Sequence, residues 1–330
     1  MKNFCCFFVF TFIVMICITK GFAEDKISIQ YGHVAPPIHV QHIASTFFKN
    51  YLEKRSDGRI EVSVYPVGQL GGERVMAESV QNGTLHIGGI TSAVLTNFVP
   101  EAALLNLPYF FPDKAAAQRL WESHVGQRIK EAFEKKGFKL LAFKSNGFRD
   151  FGNNVKPIHK PGDLRKMKFR SIESPLFIDA YQALGNKPVP IPFPEVHSSL
   201  QQGVIDGIDL HITGMAMAKI PVKYITVSGW ILSSVFPVMN KDFYDGLPAD
   251  LQSMILEAAY EEKCVHLGTL ATQELEARSA LQKKGVKINV LTPEERAAFE
   301  ALMEPVYKKW REKIGPELYD EAVKVINASE

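Results

Sequence analysis

Histidine, aspartate and cysteine are the side chains whose types and spacing first invite a chemical reading. His39 and His42 lie three apart at the start of a helical pattern, close to His33, a spacing at which imidazoles can share a metal. No acidic or thiol partner stands at a usual ligand spacing. His39 therefore reads as a residue that caps or packs beside Pro36 and Pro37. Asp206 and Asp209 suggest a carboxylate pair, but residues an odd number apart in a strand face opposite sides of the sheet. Cys264 is the one thiol left once Cys5, Cys6 and Cys17 are assigned to a leader, and one cysteine builds no intramolecular disulfide, zinc ribbon or redox pair. It falls in a helical pattern with Met254, Ile255, Ala258, Ala259, Val265 and Leu267 and reads as a small buried hydrophobe rather than a nucleophile. G-x-S-x-G, S-x-x-K, H-E-x-x-H, the phosphate-binding loop and the dinucleotide fingerprint are missing from the chain. The expectation is a protein that is not an enzyme and uses no cofactor and no metal.

The leader sets the compartment. Lys2 precedes an apolar run from Phe4 to Ile18, followed by Lys20, Gly21, Phe22 and Ala23. A positive start, a short apolar stretch and small residues at the end describe a secretory signal, with cleavage expected after Ala23. The run is shorter than the ~20 apolar residues that span a bilayer. Val14, Met15 and Ile16 lack the small residue that a lipoprotein signal places next to its cysteine. The chain has 330 residues and a formal charge of +2. Because Lys2 and Lys20 leave with the leader, the exported part is balanced, with no basic stripe for nucleic acid and no polybasic membrane patch. A length of this order usually divides into two lobes, since single cores stop growing at roughly 250–300 residues.

Strand and helix patterns then alternate. Ile27, Ile29 and Tyr31 alternate with polar neighbours; a helix is predicted over 38–54, a strand over 60–64, a helix from Gly68 to Asn82-Gly83, and a strand over 86–91. The rhythm restarts with strands over 138–143 and 167–171, a helix over 176–184, an extended proline-rich piece over 188–194, and a helix over 195–202. Strands follow at 205–210, 224–230 and 235–239. Leu247-Pro248 launches a helical pattern over about 250–284, which at 1.5 Å per residue reaches ~50 Å, long enough to run along two lobes. A strand over 287–291 and a helix start at Thr292-Pro293-Glu294-Glu295 close the chain. Such alternation argues for an α/β fold with a largely parallel sheet.

Four phrases carry a resemblance: Tyr65-Pro66-Val67-Gly68-Gln69-Leu70-Gly71-Gly72-Glu73-Arg74, Asn106-Leu107-Pro108-Tyr109-Phe110-Phe111-Pro112-Asp113, the stretch from Lys160 to Arg170, and the stretch from Glu195 to Gly207. In order and spacing they resemble the solute-binding family of TRAP transporters, from about Ile27 to the C-terminal helices. The resemblance implies a two-lobed, periplasmic-binding-protein-like α/β fold with an interlobe ligand cleft, hinge strands and the long helix spanning both lobes. The first lobe would take 24–147 and 235–275, the second 148–234 and 276–330. It further implies a monomeric periplasmic protein that captures an organic acid, mono- or dicarboxylic, and hands it to membrane permease subunits driven by an ion gradient. A sensor that presents its ligand to a chemoreceptor or histidine kinase is the alternative within the same fold.

Site residues follow from the same resemblance. Arg170 stands where the family keeps its carboxylate-binding arginine, and a guanidinium offers a flat fork of donors matching the two oxygens of a carboxylate. Arg149 matches a second arginine that many members direct at the ligand; on its own, either arginine would read as a surface ion pair. Phe193 matches an aromatic that packs on the bound acid, with ordinary core packing as the alternative. Glu173 stands where members often place a polar residue touching ligand, or else it opens a solvated helix. Asp209 is a further candidate contact, and Trp230 is either a stacking face or hinge packing. Leu210 replaces the amide that sialic-acid binders carry, and Val34, Thr91 and Val94 make nearby walls largely apolar. Sialic acid hydroxyls would be left unpaired at about 1–3 kcal/mol each, so a smaller or less hydroxylated acid is expected.

Overall fold

The computed structural model describes residues 26–328; the leader and its expected cleavage site lie outside the described residues. Among the described residues ten strands form one sheet: β1 (Ile27–His33), β2 (Ile60–Tyr65), β3 (Ile87–Thr91), β4 (Phe138–Leu140), β5 (Lys144–Asn153), β6 (Phe169–Ser171), β7 (Val189–Pro190), β8 (Gly207–His211), β9 (Tyr224–Asn240) and β10 (Lys287–Val290). The order is β2-β1-β3-β9-β5-β8-β6-β7, with β4 and β10 both pairing β9. Pairing of β1 with β2 and β3 is parallel, as is that of β6 with β7 and β8. Pairing along β5 and β9 is antiparallel, apart from the parallel contact of β9 with β10.

Two parallel blocks are thus joined through β5 and β9. The segments predicted as separate strands at 224–230 and 235–239 are one 17-residue strand. Its C-terminal half pairs β3 and its N-terminal half pairs β10, so it belongs to both blocks. Ile231 to Ser234 in its middle are buried and keep pairing with β5, so the strand runs on through the polar pair Ser233-Ser234. The strand predicted over 138–143 ends instead at Leu140.

One helix, Ala249–Lys283, runs along both blocks. Near its start Leu251, Ile255, Ala258 and Ala259 pack with Ile29, Tyr31 and Phe48. Near its end Ala277 and Leu281 pack with Ile191, Ile208 and Met215. Its buried stripe continues through Glu262 and His266, and this places Cys264 on the outer face. The cysteine is exposed, contrary to the expectation of a buried hydrophobe. Glu262 pairs in the interior with Lys144 of β5 and accepts from the Tyr31 hydroxyl at 2.9 Å, which ties the long helix to a joining strand. The closing helices Glu304–Ile314 and Pro316–Asn327 touch both halves: Glu321 pairs with Arg128 at 2.7 Å, and the Trp310 indole donates to Asp179 at 2.8 Å.

The blocks also meet across the cleft. At Gly68 (φ +69°) a Cβ would lie 2.7 Å from Cγ of Pro194. Only glycine suits both that backbone and that approach. Asn97 donates to the Glu173 carbonyl at 2.7 Å on the same seam.

Candidate functional site

Between the blocks lies a cavity lined by residues of both. Val34, Ala35, Ile172, Phe193 and Leu210 supply apolar wall; Gln41, Asn146 and Ser233 supply neutral polar groups; Glu73, Arg149 and Arg170 supply charge.

Arg170 sits in the middle of β6, opposite Val189 of β7 and Ile208 of β8. It is 3% exposed. Its Nε donates to the Ile191 carbonyl at 2.8 Å, and neither Nη meets a protein acceptor among the described residues. Burial and the neighbouring Arg149 charge push its pKa down to about 10, so it stays cationic at neutral pH. A buried cation with an uncommitted fork of donors is a strong anion receptor, because its charge is screened little by water.

Arg149, in β5 opposite His211, is committed differently. Its Nε and Nη2 donate to the carboxylate and the carbonyl of Asp209, and its guanidinium carbon stands 5.4 Å from the centre of the Phe177 ring. Asp209 is fully buried and also accepts from the Tyr181 hydroxyl at 3.0 Å. It fixes Arg149 from behind and does not line the cavity. Asp206, its neighbour in the sequence, accepts instead from the Lys168 amide, so the two aspartates are separate.

Glu73 opens the helix Glu73–Gln81. Its carboxylate accepts from the Thr91 amide at 3.1 Å and the Thr91 hydroxyl at 2.8 Å. Burial raises its pKa, opposed by the Thr91 bonds and then by the charges of Arg170 and Arg149. The cavity therefore has a cationic side and a carboxyl side. His39 and His211 complete the polar lining; burial lowers the pKa of His39 to about 4 and that of His211 well below its usual value, so both are neutral imidazoles. His39 caps the helix Val40–Arg55, accepting from the Gln41 amide.

Of the residues singled out from the sequence, Arg149, Arg170 and Phe193 line the cavity and Asp209 stands behind it. Glu173 and Trp230 are placed elsewhere. Glu173 borders a separate groove with Gly68, Gly72, Pro192 and Pro194. Trp230 is fully buried, its ring centre 5.0 Å from those of Phe151 and Tyr181, which makes it core packing. Sequence reasoning missed Glu73 and His211 as lining residues and read His39 only as a cap. A histidine directly before a helical pattern, as at His39-Val40 and His211-Ile212, is a signal that points to both imidazoles.

Residues 31–313 match the sequence profile described as bacterial extracellular solute-binding protein, family 7. A solute-binding protein of Verminephrobacter eiseniae is 34% identical over 277 residues, 83% of this chain and 82% of that protein. The C4-dicarboxylate-binding periplasmic protein DctP of Rhodobacter capsulatus is 32% identical, with 89% of each chain covered. In structure, a TRAP periplasmic solute-binding protein of Sulfurospirillum deleyianum with bound succinate is similar at a TM-score of 0.85 and 30% identity, covering 91% of this chain and 99% of that one.

Proposed function

The chain belongs to the bacterial extracellular solute-binding proteins of family 7, and from that premise we propose that it captures an organic acid by its carboxylate and delivers it to a TRAP membrane permease. It is a binding protein rather than an enzyme, as are its relatives and structural neighbours. One observation carries the carboxylate reading: Arg170, buried in the cavity wall with only Nε committed. A carboxylate facing its two Nη donors would replace water with a charge-assisted, bidentate contact. Arg149, oriented by Asp209, supports the same anion from β5, one strand beyond β8, and Phe193 packs on the ligand body.

Closure around the acid brings the two blocks together along the Gly68–Pro194 seam. Export, with a leader removed after Ala23, places the capture step in the periplasm; among the described residues no helix is long and apolar enough to cross a membrane. Intact mass of the exported chain should correspond to a start at Glu24, and a lipidated chain starting at Cys17 would contradict this. The binding claim is tested by thermal-shift screening of organic acids against their amides. Acids should raise the melting temperature where the matching amides do not. Equal shifts from acid and amide would refute recognition through the carboxylate.

A further inference from the structure

His39 and His211 each have one ring nitrogen already assigned. The Gln41 amide donates to His39 Nδ1 at 3.1 Å, and the Gly214 amide donates to His211 Nδ1 at 3.0 Å, where the Thr213 hydroxyl, 2.7 Å away and free to rotate, donates to the same nitrogen. A backbone N–H is always a donor, so each Nδ1 must present a lone pair. In a neutral imidazole the proton then sits on Nε2. Neither Nε2 has a protein partner among the described residues, although both residues are more than nine-tenths buried. Both rings line the cavity, their centres 5.6 Å apart and inclined at 51°. His39 comes from the loop after β1 and His211 from the end of β8, so one donor stands on each side of the cleft. Close approach at Gly214 helps hold the second ring in place, since a Cβ there would lie 2.7 Å from His211 Cε1.

Resting on the carboxylate reading above, we propose that His39 and His211 form an oxygen-binding subsite that selects acids carrying an uncharged acceptor oxygen, a hydroxyl or a keto group, besides the carboxylate. Two neutral N–H donors suit a neutral oxygen: they supply hydrogen bonds without a second net positive charge. Glu73 adds an acceptor for a ligand hydroxyl in the same cavity. A ligand lacking that oxygen would bury both N–H groups unpaired on closure, and the site would disfavour it.

The test is calorimetry of the mature protein with butanoate and its 2-oxo, 2-hydroxy, 3-hydroxy and 4-hydroxy derivatives. At least one oxygenated acid should bind about tenfold or more tightly than butanoate. Asparagine keeps a cap acceptor but removes the Nε2 donor, so His39→Asn and His211→Asn should each cut that preference about three- to tenfold, weakening the oxygenated acid more than butanoate. Nitrogen-15 NMR of the unsubstituted protein provides a readout that does not depend on the variants folding. Both imidazoles should show protonated Nε2 and bare Nδ1, and both Nε2 signals should move with the preferred acid. Equal affinity for butanoate and every derivative, or a preference untouched in both folded variants, overturns the subsite. Failure of the carboxylate clamp is separate, because it would appear as butanoate binding that is indifferent to Arg170→Lys.

Discussion

Replacing Asp150 with asparagine should stabilise the protein at neutral pH and remove part of its pH dependence. Asp150 lies in β5 where the pairing with β9 shifts register between Arg149 and Phe151, and its carboxylate accepts from the Ser228 and Gly229 amides at 2.9 and 3.1 Å. Burial nevertheless pushes its pKa from 3.8 up to about 6, against those two bonds and the charges of Arg278 and Arg149. An acid whose pKa is raised by folding holds its proton more tightly in the native state. Its contribution is therefore greatest below about pH 4 and is lost as pH rises through about 6. The shift corresponds to about 3 kcal/mol in all, with about 2 kcal/mol of it lost between pH 4 and pH 7.5. Asparagine retains a carbonyl that accepts the same two N–H bonds and has no proton to lose. Urea unfolding of both proteins at the two pH values gives the double difference, with equal m-values as the check on two-state behaviour. Asp150→Asn should gain about 2 kcal/mol on the wild type on going from pH 4 to pH 7.5. Parallel pH profiles would refute the claim that a desolvated carboxylate sits between β5 and β9.

Removing Asp209 as alanine leaves the Arg149 guanidinium buried without its carboxylate, and urea unfolding should show a loss of about 3–5 kcal/mol. Gly68→Val places a branched side chain against Pro194 at a positive φ. Solution scattering should show wild type contracting on saturation with a bound acid, and Gly68→Val contracting less and binding more weakly; an equal contraction would discount the seam. Glu73→Gln removes a carboxyl that faces both arginines, so calorimetry should show succinate gaining on butanoate by about fivefold or more, and an unchanged ratio would remove Glu73 from specificity.

Local pattern carried the parts of the fold that depend on neighbours in the chain. The alternation around Ile27, the pattern at Ile60, Val62 and Val64, and the short apolar run over 86–91 gave β1 to β3, and Thr292 caps the helix that Thr292-Pro293 announced, with Glu295 completing a capping box. The long helix was legible because its apolar pattern persists over many turns. What depended on pairing across the sheet was not. Nothing in 224–240 says that both halves form one strand, since that is decided by β3 at one end and β10 at the other. Cys264 and Trp230 misled for a related reason: an apolar-compatible residue in a periodic segment can fall on either side of a stripe or within the core. Arg149 and Arg170 were found through a family pattern, whereas the cavity that unites them with Glu73, His39 and His211 exists only once five separate segments have folded together.

Arg170 carries the central claim, and calorimetry of Arg170→Lys against the best acid from the screen tests it most directly. Lysine keeps the charge but loses the planar fork. A hydrogen bond to a charged group contributes ~1.5–3 kcal/mol, and each tenfold in affinity is ~1.4 kcal/mol. The folded variant should therefore bind at least about tenfold more weakly than wild type, and more weakly than Arg149→Lys. Wild-type affinity in a folded Arg170→Lys protein would contradict the carboxylate clamp.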